Sequence, residues 1–444
     1  MKIIIAGAGE VGTHLARLLS RENHDITIID TDEHKLEMLD TTCNLLTILG
    51  SPISFSVQAE AKVGRCDLFI AVTPEETTNL LACSIAKSSG ARRTVARVDN
   101  YEFITPRHNE YFAGSGIDAM IYPEYLAAKE ILKSLERSWA RNWFEIHSGQ
   151  LVVIGVKIRE NATLTGMKIK DVFMTTHEYH VSAIKRHHET IIPRGDDYIL
   201  PNDIIYVTTT PEHVDRLREL CGKQINDIRK VLVMGGSRIA IRLIDLAGDH
   251  YKFRIIERDR NRCTYVAERC PQAIVVHGDA RDIDTLKDEG ITEVDAFVAL
   301  SDSSETNILT CLTAKEHGVL KTVAEVESIQ FISEAEGLNI GTIINKKLLA
   351  SSKIFQMLLD ADVESSKFMA LADADVAEIE AKAGSKVTRD IVRNLSLSHD
   401  MTIAGLIRHG KGMLVKGDTL IQPGDSVVVF CLNGAIHKVE RLFN

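Results

Sequence analysis

A run beginning at Asp67 (Asp67-Leu-Phe-Ile-Ala-Val-Thr73, then Thr78-Asn79, Cys83 and Ala86-Lys87) occurs twice in this chain. It returns as Asp295-Ala-Phe-Val-Ala-Leu-Ser301, then Thr306-Asn307, Cys311 and Ala314-Lys315, displaced by 228 positions from Asp67 to Asp295 and still by 228 from Lys87 to Lys315. Thr94-Val95-Ala96 and Thr322-Val323-Ala324 keep the same spacing. A repeat held in register over this length requires two copies of one domain. Each copy opens with an apolar run, a glycine-bearing turn and a helical pattern, the start of a nucleotide-binding α/β unit. Two nucleotide sites without a duplicated catalytic group favour a sensor over an enzyme.

The apolar run Lys2–Ala6 reads as a strand buried on both faces of a parallel sheet. After the turn Gly7–Gly12, Thr13–Ser20 reads as a helix with Leu15, Leu18 and Leu19 inward. Ile26–Ile29, Leu45–Leu49, Leu68–Val72, Thr94–Ala96 and Ala119–Tyr122 supply five more strands. Strand–helix alternation of this kind predicts a doubly wound sheet of order 3-2-1-4-5-6. A helix is expected over Ala127–Trp143, carrying Trp139 and Trp143 against the following small domain, with partner docking as the alternative. From Leu151 the pattern turns strand-rich, with turns at Pro193–Asp197 and Leu200–Asp203 and a closing helix over Val214–Leu220. This small α+β pattern recurs: Gly195-Asp196 and Pro201-Asn202-Asp203 return as Gly417-Asp418 and Pro423-Gly424-Asp425. The fold class is therefore α/β, with two Rossmann-like doubly wound parallel sheets, each followed by a small α+β domain. The expected boundaries are 1–136, 137–225, 226–359 and 360–444.

In the first copy, Gly7-Ala8-Gly9-Glu10-Val11-Gly12 is a complete G-x-G-x-x-G between strand and helix. Gly7 permits the tight turn, Gly9 lets backbone approach a pyrophosphate, and Gly12 lets helix and strand pack closely. The helix then offers free N–H groups to phosphate. Asp30 ends the second strand, where an acid binds ribose hydroxyls and repels a 2′-phosphate. The second copy reads Gly235-Gly236-Ser237-Arg238-Ile239-Ala240, with Glu257 closing its second strand and Gly278-Asp279 following its third. The first copy has Gly50-Ser51 where the second has Gly278-Asp279. Glu10 disfavours added phosphate charge and suits a dinucleotide, whereas Arg238 suits a terminal phosphate. The first site is thus expected to prefer NAD(H) and the second ADP or ATP; an empty structural copy is the competing reading of the second. Thr73, its counterpart Ser301 and Arg97 stand at the carboxyl edge of the sheets, where ligands bind. Arg97 reads equally as a phosphate or subunit contact or as a surface ion pair. Glu325 takes its place in the second copy.

The formal net charge of −10 argues against a nucleic-acid binder that works by phosphate neutralisation. Positive charge is local, as in Arg254, Arg258, Arg260 and Arg262. The eight cysteines lack zinc spacing and fit a reducing compartment. No apolar run approaches the ~20 residues that span a bilayer, and a strand starting at Lys2 leaves no room for a leader. A cytoplasmic protein is expected. The histidine-dense stretch at His177, His180, His187 and His188 reads as solvated hairpin rather than a metal site. No His–Asp or Lys–Asp pair stands out as a proton-transfer device, so no catalytic residue is assigned.

The four-domain order, Gly7–Gly12, Asp30, the Asp67–Asn79 run, Ala96-Arg97-Val98 and the closing Val439–Phe443 resemble the TrkA family. These are tandem RCK regulators (KTN/TrkA-N plus TrkA-C) of Trk-type bacterial potassium uptake. The resemblance spans the chain and implies binding of NAD(H) and ADP/ATP. It also implies a homotetrameric ring of Rossmann domains under a TrkH/TrkG-like membrane potassium-translocating subunit, hence a peripheral position on the inner face of the membrane. By the same resemblance Gly7, Gly9, Gly12, Asp30 and Arg97 line the first site, and an arginine at the Arg238 position touches outer phosphates. Two other readings share these motifs: an NAD-dependent oxidoreductase, and an RCK-type regulator of a different channel or exchanger.

Overall fold

The structure is a computed structural model that describes residues 1–20, 24–175, 178–187, 189–338, 340–362, 367–371, 374–432 and 436–443. It forms two compact units. The first unit is built on β1 (Lys2–Ala6), β2 (Asp25–Asp30), β3 (Leu46–Leu49), β4 (Leu68–Ala71), β5 (Arg93–Arg97) and β6 (Ala119–Ile121). They form one parallel sheet in the order β3-β2-β1-β4-β5-β6, as the alternating pattern predicts. Central β1 is apolar throughout its inner length because both faces are covered: Ile3 and Ile5 join one core and Ile4 and Ala6 the other. The first helix spans Glu10–Ser20, three residues earlier than its apolar periodicity suggests, since its first turn closes directly on the glycine loop through Thr13 N–H to the Gly9 carbonyl (2.8 Å). The helix Lys346–Asp362 comes from far along the chain, yet its residues 346–361 belong to this unit. Its Ala350 and Ile354 enter the core beside Ile3 and Leu15, and the Met357 carbonyl accepts from Arg93 (2.9 Å).

The second unit holds three sheets. β7 (Asn142–Ile146), β8 (Leu151–Lys157), β9 (Tyr179–Arg186), β10 (Glu189–Ile191) and β11 (Ile204–Thr209) form an antiparallel sheet, order β10-β9-β11-β8-β7. β12 (Lys230–Met234), β13 (Lys252–Glu257), β14 (Ile274–His277), β15 (Ala296–Ala299), β16 (Lys321–Glu325) and β17 (Thr342–Ile344) repeat the parallel order β14-β13-β12-β15-β16-β17. β18 (Lys367–Leu371), β19 (Ala374–Glu380), β20 (Met401–Arg408), β21 (Lys411–Leu414) and β22 (Ser426–Leu432) form a second antiparallel sheet, order β18-β19-β22-β20-β21. The two antiparallel sheets share one core, in which Leu151, Val153 and Tyr206 meet Val376, Val428 and Phe430. The repeated Pro-x-Asp turns have a purpose here. Asp203 takes Arg186 at 2.9 and 2.7 Å and the Leu200 N–H at 2.8 Å, and Asp425 does the same with Arg408 and the Gln422 N–H.

One expectation is corrected. The helix expected over Ala127–Trp143 spans Pro123–Glu136, and Trp143 lies on β7. The aromatic, β-favouring Trp143-Phe144 pair adds an edge strand to β8, and that pairing overrides helical periodicity. Trp139 and Trp143 pack edge to face, with centroids 6.3 Å apart, against the core of the β7–β11 sheet.

The segment from Ser134, on the helix Pro123–Glu136, to Arg141, just before β7, is tied to the second parallel domain through polar contacts. The buried Lys321 ammonium, at the start of β16, donates to the Ala140 carbonyl (2.9 Å), Arg141 donates to the Glu336 carbonyl (3.1 Å), and Ser134 meets Thr342 (2.9 Å). Burial, with Lys315 and Arg141 nearby, pushes Lys321 down to about 7. An unfolded lysine titrates near ~10.4. Above pH 7 the unfolded chain therefore holds the extra proton, and stability rises with pH. Urea unfolding is expected to show stability rising from pH 6.5 to 8 by up to about 1 kcal/mol per pH unit. Lys321→Met should reduce that rise without abolishing it, because Lys157 and Lys315, brought down to about 8 by burial, still titrate in the same window.

Candidate nucleotide sites

The first site lies at the carboxyl ends of β1, β2, β4 and β5. Gly7 has φ +112°, and a Cβ there would stand 3.0 Å from the Thr73 nitrogen. A Cβ on Gly12 would sit 1.9 Å from the Gly7 carbonyl oxygen, so the backbone of this first copy admits only glycine at that position. A Cβ on Gly9, by contrast, would meet nothing within 4 Å, which leaves its backbone open to an approaching pyrophosphate. Val11 and Gly12 are buried in the first helical turn, and exposed Glu10 forms an ion pair with Lys347. Asp30 ends β2 and accepts from the Ala8 N–H at 2.5 Å and the Asp32 N–H at 2.9 Å. Both oxygens thus brace the loop and the next helix, and each keeps lone-pair capacity for a ribose hydroxyl. Arg97 lies 3.4 Å from Asp99, the ion pair its sequence position allowed, and among the described residues its buried Nε has no partner.

The second site repeats this arrangement. Gly235 has φ +96°, and Glu257 accepts from the Gly236 N–H at 2.7 Å and the Asp259 N–H at 2.8 Å. Ser237 caps the helix Arg238–Ala247 by accepting from the Ala240 N–H (3.3 Å). A cavity of about 900 Å³ opens here, and Gly235, Ser237, Glu257, Asp279 and Ser301 all line it. Arg238 does not. It is exposed at the first helical position, and the cations of the cavity wall are Arg258, Arg262 and Arg281. Arg262 donates to the Gly236 carbonyl (2.6 Å) and lies over the Tyr265 ring (4.8 Å). Arg281 clasps Asp279, whose carboxyl that contact holds down to about 2. Arg258 approaches Asp302 at 4.0 Å. Two of the three wall guanidinium groups, those of Arg258 and Arg281, are held by carboxylates, a setting in which phosphate oxygens would compete for the same donors. The signal for these arginines was the basic run Arg254–Arg262; Arg281 had none.

A matched pair of asparagines carried no assignment from the motif. Fully buried Asn79 accepts from the Thr73 N–H (2.9 Å) and hydroxyl (2.7 Å) and donates to the Thr73 and Arg97 carbonyls (both 3.0 Å). Asn307 makes the same four bonds with Ser301 and Glu325. Each therefore fixes the loop after the fourth strand to the end of the fifth. This accounts for the repeated Thr-Asn, and for Thr73 and Ser301 being bound to protein rather than aimed freely at a ligand. Asn79→Ala leaves buried backbone groups unpaired and is expected to lower the first unit's stability by about 2–4 kcal/mol in urea unfolding.

The TrkA-N domain family matches residues 3–123 and 231–346, and the TrkA-C domain family matches 153–234 and 376–444. The Trk system potassium uptake protein TrkA of Halomonas elongata is 28% identical over 452 residues, covering 100% of this chain and 98% of that protein. The TrkA homolog of Archaeoglobus fulgidus is 29% identical over 455 residues, covering 100% of both. Among solved structures, the GsuK channel bound to NAD matches with TM-score 0.61 at 15% identity, covering 100% of this chain and 78% of that one. The GsuK RCK domain matches with TM-score 0.60 at 15% identity, covering 100% and 94%. At that identity the likeness establishes a shared RCK fold. Matched along both halves by the TrkA-N and TrkA-C domains, the chain belongs to the TrkA family of Trk potassium-uptake regulators.

Proposed function

We propose that this chain is the nucleotide-sensing subunit that gates a Trk-type potassium uptake system, binding NAD(H) at the Gly7 loop and ADP or ATP at the Gly235 loop. The supporting observation is the doubled clasp, in which a strand-terminal carboxylate holds a glycine-turn N–H in both copies (Asp30 to Ala8, Glu257 to Gly236). That carboxylate is placed for ribose hydroxyls, and the turn beside it for phosphates. The three arginines around the second cavity favour a ligand with terminal phosphates there. Glu10 and Lys347 beside the first loop form a neutral pair that suits a dinucleotide.

Binding at the second site exchanges Arg281–Asp279 and Arg258–Asp302 contacts for arginine–phosphate contacts, which frees two carboxylates at the cavity rim. A nucleotide shifts the regulator between states only by its differential affinity, ~1–3 kcal/mol per site. A homotetramer with two sites per chain sums such increments. Its target is a TrkH/TrkG-type potassium-translocating membrane subunit, on whose cytoplasmic side the assembly sits. Among the described residues no helix is long and apolar enough to cross a membrane. The working domains are 1–136, 137–225, 226–359 and 360–444, and no covalent chemistry is assigned to any of them. The NAD of the GsuK channel structure fits this reading by analogy of fold.

Calorimetric titration of the full chain tests the assignment. Asp30→Ala is expected to weaken NADH at least tenfold with ATP little changed, and Arg281→Ala to weaken ATP by roughly tenfold or more with NADH little changed. Arg238→Ala, outside the cavity wall, should have the smaller effect on ATP. Unchanged affinities in the Asp30→Ala/Arg281→Ala double variant would overturn the reading.

A further inference from the structure

The two small antiparallel domains meet along β9 and β20, and a cavity of about 330 Å³ opens between them, away from both glycine loops. Hydrogen bonds frame it on every side. His180 Nε2 on β9 and Thr402 Oγ1 on β20 lie 3.1 Å apart in its wall. Arg194, in the turn after β10, reaches across to donate to the Ser398 carbonyl (2.8 Å). The Arg393 N–H donates to the Gly417 carbonyl (2.9 Å), which holds Arg393 against the Lys416-Gly417 turn. Arg194, Arg393 and Lys416 therefore line one space, and among the described residues no carboxylate lines it with them.

The wall follows the internal repeat. His180 corresponds to Thr402, and Arg194 to Lys416, by the displacement that carries Gly195-Asp196 onto Gly417-Asp418. Each small domain thus brings a cation to the cavity from the same turn. The copies differ in how the neighbouring cation is answered. In the first, the Lys170 N–H bonds the Gly195 carbonyl (2.9 Å), as that of Arg393 bonds Gly417, and the Lys170 ammonium is held by Asp196 at 2.7 Å. In the second, Asp418 stands where the first has Asp196, yet neither the Arg393 guanidinium nor the Lys416 ammonium has a hydrogen bond or ion pair among the described residues. His180 adds no charge near neutral pH, since burial pushes it down to about 4.

Three cations from two domains thus converge on one space whose wall holds no acid. Like charges so placed repel, and a compact oxyanion with more than one negative charge removes the repulsion by accepting from guanidinium and ammonium donors together. The volume stands at the small end of ligand cavities, so it suits a phosphate or pyrophosphate rather than a dinucleotide.

We infer that this cavity is an anion site, separate from the two nucleotide loops, in which a small multivalent phosphate anion bridges Arg194 of the first small domain to Arg393 and Lys416 of the second. The bound anion ties the two domains together across β9 and β20. The inference does not depend on nucleotide binding at either loop.

Calorimetric titration of the full chain with inorganic pyrophosphate is the test. Arg194 is left unaltered, because its bond to Ser398 holds the cavity wall. The Arg393→Gln/Lys416→Gln variant is expected to bind pyrophosphate roughly tenfold or more weakly, while Asp30→Ala and Arg281→Ala keep the affinity of the unaltered chain. Pyrophosphate should raise the melting temperature of the unaltered chain, and the Gln pair should lose that rise. If the Gln pair does not fold, Lys416→Gln alone carries the comparison, and Lys416→Arg should retain binding. Absence of binding by the unaltered chain overturns the proposal, as does unchanged affinity in the Gln variant. A loss confined to Arg281→Ala overturns it too, by placing the anion at the Gly235 loop. Flotation with phosphatidylglycerol vesicles separates a free anion from a lipid headgroup. None is expected, and flotation that depends on Arg393 and Lys416 would assign the cations to a membrane surface instead.

Discussion

A helix can begin within one turn of the strand that feeds it only if no side chain stands between them. Gly12 meets that constraint, since a Cβ there would lie 1.9 Å from the Gly7 carbonyl. From this contact the helix Glu10–Ser20 takes its place over β1, its early N–H groups stay available at the sheet's carboxyl edge, and Asp30 comes within 2.5 Å of the Ala8 N–H. The second copy reaches the same end by another route. It carries Ala240 at the corresponding position, caps the helix with Ser237, and keeps the carboxylate clasp through Glu257. The clasp survives the loss of glycines because it uses a backbone N–H, which every residue but proline supplies.

Charge is organised differently in the three regions. At the first loop an acid and a lysine neutralise each other, and around the second cavity Arg258 and Arg281 are held by acids. In the β7–β11 part of the second unit, a buried lysine, Lys185, is paired with Glu336. Paired charges cost little when exposed and exchange partners readily, while a buried pair is held in place by the cost of leaving either charge alone. This difference separates the cavity around Gly235 from the buried Lys185–Glu336 pair.

Much of the first unit was legible in advance. Short apolar runs separated by helical periods admit few arrangements once crossovers must be right-handed, so both parallel sheets follow the expected order. The acids at Asp30 and Glu257 and the glycine turns were readable because their roles are local in sequence. The asparagines Asn79 and Asn307 were visible as repeats but not as clamps, since each reaches a carbonyl 18 residues away. Trp143 was misplaced on a helix because strand pairing with β8 is non-local, and Arg281 was missed because its place in the cavity depends on the turn after β14.

By itself the sequence determined the duplication, the class of fold, the strand order and the two glycine turns, all properties of short segments and their spacing. The tertiary structure decided what those segments meet. It sent the helix Lys346–Asp362 to the first sheet, set Lys347 beside Glu10, left Arg238 outside the cavity that Arg258, Arg262 and Arg281 line, and merged the two antiparallel sheets over one core. The physical reason is that burial and charge pairing depend on which surfaces come together, and residues hundreds of positions apart carry no local signal of that.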